Sequence, residues 1–270
     1  MKPCIMSSVF LAEPGKTVRD MFELAQEIEI EGIDFCDICN LSVSSREIKK
    51  MCDSYGIKAV CNTVLNDINA PGMTELKWLD NIKTAIEDAV MMQTGKVMIP
   101  TPGKPGVAKE LTRQKWLEML AKAVDIAAIS GIEICIESYA ADAMWSPFIS
   151  SDDLLLAVNN VPGLKLTFDN GNHFAVEKPV EAFKKIHASV THVHFKDWGI
   201  SLPSEQNSYL LQEGKYYHMT LLGEGLVNHV SCIKCMKEYG YRGYINIEYF
   251  GPSSKEKAIR NGAEYLRQSI

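Results

Sequence analysis

The amino-acid sequence predicts an α/β protein, a single-domain (βα)8 TIM barrel with a parallel eight-stranded core. Its 270 residues suit one such barrel, which typically takes about 250 residues. Short stretches with strand-like alternation and longer stretches with helical spacing follow one another along the chain, which indicates parallel strands joined by helices. A doubly wound open sheet is the alternative, but no G-x-G-x-x-G motif follows the first strand. Because no linker or low-complexity segment interrupts the sequence, we expect residues 1–270 to form one domain.

The elements alternate in chain order. The predicted strands are Cys4–Val9, Gly32–Ile38, Lys58–Val64, Lys96–Pro100, Glu133–Glu137, Lys165–Asp169, Val190–Lys196 and Tyr244–Tyr249. The predicted helices are Val18–Glu31, Ser44–Tyr55, Thr74–Thr94, Thr112–Ser130, Ser151–Asn160, Val180–His187, Asn228–Tyr239 and Ser254–Gln268. Gly56 and Gly131 directly follow two of these helices, as is usual at a helix C-terminus. Ser150 with the acidic pair Asp152 and Asp153 is typical of a helix start.

The composition limits the classes of function and partner. The hydrophobic content of 46% suits a globular protein with an ample core, and 28 basic against 34 acidic residues give a net charge of −6. This balance argues against nucleic acid as a partner, because binding to a phosphate backbone needs clustered Lys and Arg. No apolar run approaches the about 18 residues of a membrane span, and Met1–Phe10 lacks a clear cleavage site for a signal peptide. We therefore expect a cytoplasmic protein without a membrane partner.

The eight cysteines include two C-x-x-C pairs, Cys36/Cys39 and Cys232/Cys235, which raise the alternative of a structural zinc site. The two pairs lie far apart in the sequence, and neither lies in a Gly-rich knuckle. Several other cysteines lie within apolar runs, where cysteine behaves as a small hydrophobic residue. Reduced thiols in a cytosolic protein are therefore the preferred interpretation.

The stretch Thr191–Trp198 carries an unusual set of polar residues on one face of a predicted strand. Side chains alternate between the two faces of a strand, so His192, His194 and Lys196 point the same way, opposite the apolar residues. A lone histidine there would be an ordinary satisfied core residue. Three other predicted strands, however, also place a metal-competent side chain near their C-terminal ends, opposite their apolar faces, and these are Glu137, Asp169 and Glu248.

Active sites of (βα)8 barrels lie at the C-terminal ends of the strands, so these four side chains should meet at one mouth of the barrel. Three carboxylates and one imidazole are ligands that suit Mn²⁺ or Mg²⁺, and also Co²⁺. They do not resemble a zinc site of the thiolate type. Four protein ligands leave about two positions of an octahedron for two adjacent substrate oxygens.

The segments around these residues resemble the xylose isomerase-like barrel superfamily of sugar phosphate isomerases and epimerases. The matching segments are Ile134–Glu137, Leu166–Asn172, Thr191–Asp197, Leu222–Gly225 and Ile245–Tyr249. The resemblance implies a divalent metal, Mn²⁺ in the first place with Mg²⁺, Co²⁺ or Zn²⁺ as alternatives, bound by Glu137, Asp169, His194 and Glu248. It also implies that Glu137 and Glu248 are the catalytic acid/base pair.

Two departures from the family pattern leave the substrate open. Many members carry His three residues after the strand-six Asp, where this chain has Asn172 followed by His173. Epimerases of free ketoses carry an Arg shortly after the metal-binding histidine of strand seven, and Lys196-Asp197-Trp198 takes that place here.

Further residues are candidates for binding substrate. We expect contacts to a sugar or sugar phosphate from Asn172, His173, Lys196, His192, Trp145, Glu224 and Asn62. Asp37, at the end of strand two, is a weaker candidate. The long stretch Asp197–Leu226 has no periodicity, so we expect a mobile loop that closes over the site as a lid, with a surface loop as the alternative.

The predicted function is a divalent-metal-dependent sugar or sugar phosphate isomerase or epimerase that moves a proton next to a carbonyl through an enediolate. The alternative on the same fold is a metal-dependent dehydratase (lyase) of a keto-inositol or related polyol. A non-catalytic sugar-binding barrel and an apurinic endonuclease-like phosphodiesterase are less favoured, the latter because six histidines and no basic patch suit it poorly. A homo-oligomer is compatible with the sequence. Fold membership alone does not decide among these reactions.

Overall fold

A computed structural model describes residues 1–139, 145–205, 207–211 and 214–270. In chain order its strands are β1 (Lys2–Met6), β2 (Gly32–Cys36), β3 (Lys58–Thr63), β4 (Lys96–Ile99), β5 (Glu133–Glu137), β6 (Lys165–Asp169), β7 (Val190–Phe195), β8 (Asp197–Ile200), β9 (Tyr209–Leu210), β10 (Tyr216–Thr220) and β11 (Tyr244–Ile247). The helices are α1 (Ser7–Leu11), α2 (Val18–Glu27), α3 (Ser45–Tyr55), α4 (Glu75–Met92), α5 (Lys109–Ala128), α6 (Ser151–Asn160), α7 (Asn170–Phe174), α8 (Pro179–Ile186), α9 (His229–Glu238) and α10 (Lys255–Ser269).

Eight of the strands form a closed parallel barrel, which confirms the predicted fold class. The order around the barrel is β1-β11-β7-β6-β5-β4-β3-β2, and pairing of β1 with β2 closes it. The order follows the chain because each strand–helix–strand unit places the next strand beside the last one. All eight predicted barrel strands and all eight predicted helices are found, with ends that differ by a few residues.

The helix starts explain why these boundaries fall where they do. Three helices begin with a capping box, in which a hydroxyl and an acidic residue three positions later satisfy each other's backbone N–H groups. The pairs are Thr17 with Asp20 at α2, Ser44 with Glu47 at α3, and Ser150 with Asp153 at α6. The predicted helix start at Ser150 is thereby confirmed. None of the described helices is long and apolar enough to cross a membrane.

Alternation along the strands separates an apolar outer layer from a polar mouth. On β5, Ile134 and Ile136 belong to the main hydrophobic core under the helices, whereas Cys135 packs inside the barrel against Cys61 and Met98. The side chains further along the inner face are polar and reach the C-terminal mouth. All eight cysteines are free thiols, and Cys39 alone is exposed.

Two local predictions are wrong. The chain turns into helix α1 at Ser7, so the predicted strand Cys4–Val9 ends early, at Met6. The stretch Asp197–Leu226, predicted as a loop without regular structure, instead contains β8, β9 and β10, which form a three-stranded antiparallel sheet in the order β8-β10-β9. Its closure over the site as a lid stays a prediction. These strands are only two to five residues long, which is too short for a period to stand out in the sequence.

Candidate metal centre

Four buried side chains meet at the C-terminal mouth of the barrel. Glu137, Asp169, His194 and Glu248 each offer one ligand atom, and the four atoms lie within 4.8 Å of one another. The Nδ1 atom of His194 lies 3.4 Å from Glu137 Oε2 and 3.3 Å from Glu248 Oε2. The four predicted ligands, which lie on different strands, are therefore brought together by the barrel.

The ligand atoms fit a metal ion because they are buried and only one of them is engaged by a cation. Within the described part of the chain, Glu137 Oε2, His194 Nδ1 and Glu248 Oε2 have no hydrogen-bond partner, and Asp169 Oδ2 has only the ammonium of Lys196, 2.9 Å away. A buried polar atom without a partner costs about 1–3 kcal/mol. Three such atoms beside a fourth carboxylate oxygen, all within 4.8 Å of one another, are the arrangement expected of ligands for a divalent cation.

Local structure aims each ligand at this point. Asp169 is the N-cap of α7, and its Oδ1 accepts hydrogen bonds of 2.9 Å from the backbone N–H groups of Gly171 and Asn172. Its other oxygen is thereby left for the cluster. Asp169 pairs in register with His194 across β6 and β7. The backbone N–H of Glu248 donates to Phe195 O, which extends the barrel ladder past β11 and fixes the second glutamate.

Lys196 is the cation of the site. Its Nζ lies 2.6 Å from Glu248 Oε1 and 2.9 Å from Asp169 Oδ2. Burial disfavours its charged form, but the Asp169 and Glu248 carboxylates outweigh burial and raise the pKa of Lys196 above its usual range. Gly171 makes room for this side chain, since an added Cβ there would lie 2.1 Å from Lys196 Cγ.

The carboxylates respond to burial and to this cation in opposite ways. Burial raises the pKa of Asp169 to about 7, and the ammonium of Lys196 opposes that rise only in part. Burial also opposes the ionisation of Glu248, but Lys196 and His194 outweigh it and lower the pKa of Glu248 to about 2. Glu248 is therefore ionised at neutral pH, which is the form that a general base requires.

Asp34 on β2 is a functional candidate that the sequence analysis missed. It is fully buried, and its Oδ2 lies 2.8 Å from His192 Nε2 and 3.3 Å from His194 Nε2. Because the Asp34 carboxylate only accepts, it favours the His194 tautomer with hydrogen on Nε2 and a free lone pair on Nδ1. Burial opposes the ionisation of Asp34, but the two imidazoles hold its pKa below the usual range. An acidic residue in an otherwise apolar strand, on the inner face between Gly32 and Cys36, was the available signal.

A cavity of about 510 Å³ opens over the cluster. Glu137, Glu248, Lys196 and Asn172 all line it, so these predicted site residues share one space with whatever ligand enters. The amide nitrogen of Asn172 donates to Ser138 O over 2.7 Å, which fixes the orientation of that side chain at the cavity.

The other predicted substrate contacts do not line this cavity. His192 is committed to Asp34 in the barrel interior. His173 is buried, lies 3.2 Å from Glu177 through Nδ1, and stacks on Phe168 at a centroid distance of 5.3 Å. Burial of its ring behind β6 therefore removes His173 from the mouth.

Asn62 points outward, and its Nδ2 donates to Ala85 O on α4 over 2.9 Å. The alternation of β3 places its neighbour Thr63 on the cavity side instead. Glu224 is exposed in a turn, and Trp145 packs its backbone against Gly103. Asp37 caps a short helical turn. Their predicted substrate contacts consequently lack support from their positions.

Comparisons with known proteins agree with this architecture. An uncharacterized protein of Methanocaldococcus jannaschii is 27% identical over 287 residues, which cover 98% of this chain and 89% of the relative. The solved structure of IOLI protein with a binding zinc atom superposes with a TM-score of 0.82 at 16% identity, covering 100% of this chain and 98% of that one. The probable 3-DHS dehydratase AsbF, involved in petrobactin synthesis in Bacillus anthracis, superposes with a TM-score of 0.79 at 17% identity, covering 99% of both chains.

These structural likenesses, at identities this low, establish the fold. The family model described as xylose isomerase-like TIM barrel matches residues 22–269. Since that match spans nearly the whole barrel and includes all four residues of the metal-competent cluster, this chain belongs to the xylose isomerase-like TIM barrel family.

Proposed function

We propose that the protein is a divalent-metal-dependent isomerase or epimerase of a sugar or sugar phosphate. The observation that carries this proposal is the pair Glu137 and Glu248, which both belong to the buried cluster, each have an Oε2 atom without a hydrogen bond among the described residues, and both line the cavity above it. Two carboxylates beside one substrate space are what proton transfer at carbon requires, since one group must remove a proton and another must return it.

The metal site is part of the proposal. A divalent ion bound by Glu137, Asp169, His194 and Glu248 would polarise a carbonyl and stabilise the negative charge of an enediolate. Three oxygen donors and one nitrogen donor favour Mn²⁺, with Mg²⁺ and Co²⁺ as alternatives. Zn²⁺ is a further alternative, supported by the likeness to a zinc-bound barrel.

The two glutamates approach the substrate space from different sides of the barrel. Glu137 ends β5 and Glu248 follows β11, with β6 and β7 between them in the barrel order. In the proposed reaction one carboxylate accepts the proton on the carbon next to the carbonyl, and the electron pair of that bond moves to the carbonyl oxygen. The other carboxylic acid returns a proton to the opposite face or to the adjacent carbon. No water is gained or lost.

A dehydratase is the second candidate, and the position of Lys196 favours it. The same proton removal would be followed by loss of a hydroxyl group from the next carbon. The Lys196 ammonium lines the cavity beside Glu248 and could donate the proton with which that hydroxyl leaves as water. The fold likeness to a probable dehydratase supports the same alternative.

Solvent deuterium separates these candidates. The Mn²⁺-loaded protein is incubated in D₂O with a panel of ketoses and their phosphates, and deuterium next to the carbonyl is measured by NMR and mass spectrometry. We expect label without loss of water, and loss of that label in Glu137→Gln and Glu248→Gln. Glu23→Gln, at an exposed position of α2 outside the cavity, is the matched control. Turnover at the wild-type rate in Glu248→Gln would refute the acid/base pair, and a water-eliminated product would establish the dehydratase.

A further inference from the structure

We propose that the substrate of this site is an unphosphorylated hydroxycarbonyl compound that carries an apolar arm. The inference rests on the proposed function and narrows its substrate class. Two independent observations carry it, namely the apolar walls of the cavity and the charge balance at its floor.

The walls above the cluster are apolar on several sides. They include Met6 at the end of β1, Leu65 after β3, Pro100 after β4, Tyr209 on β9, Met219 on β10 and Phe250 after β11. A simple sugar presents hydroxyl groups in all directions, and these would lose hydrogen bonds with water against such walls at a cost of about 1–3 kcal/mol per unpaired group. An aliphatic or aromatic arm would instead gain from leaving water. The walls thus match a substrate that is polar only where it meets the floor.

Near the metal-competent cluster, the described side chains that line the cavity offer no free cation for a phosphate. Among the described residues that line the cavity, the charged side chains are Asp67, Glu137, Lys196 and Glu248. Lys196 is already shared between Glu248 and Asp169, and together with a divalent ion it balances the three carboxylates of the cluster. The residues at 140–144, 206, 212 and 213 contain neither Lys nor Arg, so they cannot add a cation.

The N-terminus of helix α7, which follows the ligand Asp169, is already engaged. Backbone N–H groups at the start of a helix commonly bind phosphate. At α7, however, the N–H groups of Gly171 and Asn172 already donate to Asp169 Oδ1. Lys196 and the N–H groups of Gly171 and Asn172 are thus already engaged by carboxylates, so a phosphate dianion would lose its hydration without a free cationic side chain to compensate for the loss.

Three hydroxamates test the inference, because each binds a divalent ion through two adjacent oxygens and they differ only in the attached arm. Acetohydroxamate has a methyl group, benzohydroxamate has a phenyl ring, and phosphoglycolohydroxamate has a phosphate. Their Kd values for the Mn²⁺-loaded protein are measured by calorimetry. We expect benzohydroxamate to bind about tenfold to a hundredfold more tightly than acetohydroxamate, as burial of an aromatic side chain does. We expect the phosphorylated probe to bind most weakly.

A charge introduced into the wall should reverse this preference. Leu65 is 61% exposed, so Leu65→Arg can fold while adding a cation to the cavity. It should weaken benzohydroxamate and strengthen phosphoglycolohydroxamate. Leu76→Arg, at a 69% exposed position on α4 outside the cavity, is the matched control and should change neither Kd.

The outcomes separate this inference from the function it rests on. Tighter binding of phosphoglycolohydroxamate than acetohydroxamate, or no gain for benzohydroxamate, would overturn the inference while leaving the metal-dependent function in place. If the ratio of the Kd values of benzohydroxamate and phosphoglycolohydroxamate were unchanged in Leu65→Arg, the apolar arm would not lie beside Leu65. Failure of all three probes to bind would reject the chelating site itself, and with it both proposals.

Discussion

Replacing Asp34 with asparagine should weaken the metal site without unfolding the protein. The Oδ2 atom of Asp34 accepts from His192, His194 and, over 2.9 Å, from Asn246 Nδ2, while Oδ1 accepts from Thr63 Oγ1 over 3.0 Å. In Asp34→Asn the amide oxygen can take the place of Oδ2, and the amide nitrogen can donate to the Thr63 hydroxyl. All the hydrogen bonds then remain possible, but the negative charge behind the His194 imidazole is lost.

The Asp34 carboxylate has two roles: it orients the metal-binding imidazole of His194, and it accepts hydrogen bonds from buried donors. The first role determines the expected loss of metal affinity, and the second determines the expected loss of stability. Removing a group that orients a metal-binding histidine typically costs about 10–100-fold in metal affinity. This corresponds to about 1.4–2.7 kcal/mol. Asp34→Ala differs because it leaves several buried donors without a partner, and we expect it to lower the free energy of unfolding by about 3–5 kcal/mol.

Calorimetric titration with Mn²⁺ and urea unfolding of the same samples measure the two effects separately. His194→Ala removes a metal ligand and therefore gives the lowest metal affinity expected among these variants. We expect the Mn²⁺ affinity of Asp34→Asn to lie between those of His194→Ala and the wild type, and its free energy of unfolding to be close to that of the wild type. An unchanged Kd for Mn²⁺ in folded Asp34→Asn would refute the reasoning that Asp34 prepares His194 for the metal.

Two further predictions concern Asp169 and Gly171. Burial raises the pKa of Asp169 to about 7, so a proton should compete with the metal, and Mn²⁺ affinity should fall by at least about tenfold from pH 8 to pH 6. Burial opposes protonation of His194, but hydrogen bonds with Asp34, Glu137 and Glu248 outweigh it and raise the pKa of His194, so proton competition at this ligand adds to the fall. With its raised pKa, Asp169 stabilises the metal-free fold below the unfolded carboxyl pKa of about 4 and loses that contribution as pH rises through about 7. A flat calorimetric pH profile of Mn²⁺ affinity would contradict both statements. Gly171→Ala should lower the free energy of unfolding by about 1–3 kcal/mol in urea titrations, because its Cβ would overlap Lys196. Gly95→Ala, where an added Cβ meets nothing within 4 Å, is the control, and equal stability of the two variants would argue against the overlap.

Local sequence patterns were sufficient to predict the barrel and the set of metal-competent residues. Periodicity separates strands from helices locally, and alternation within a strand decides which side chains share a face. Because all parallel strands of a barrel end at the same mouth, Glu137, Asp169, His194 and Glu248 could be brought together without any knowledge of their distances. These predictions needed only short-range patterns and one general property of the fold.

The hydrogen-bond and ion-pair partners of the site residues, in contrast, depend on how distant strands pack. Asp34 lies 158 positions before His192 in the sequence, so no local sequence pattern predicts the hydrogen bond between them. Asn62 faces α4 because the pairing of β3 with its neighbours turns that position outward, although it stands at the end of a strand. Lys196 lies at the mouth of the barrel, as the alternation along its strand predicts. Its ion pairs with Asp169 and Glu248, however, form because β6 and β11 lie on either side of β7. Partners of this kind are set by the register and packing of distant strands, which a single strand's sequence does not encode.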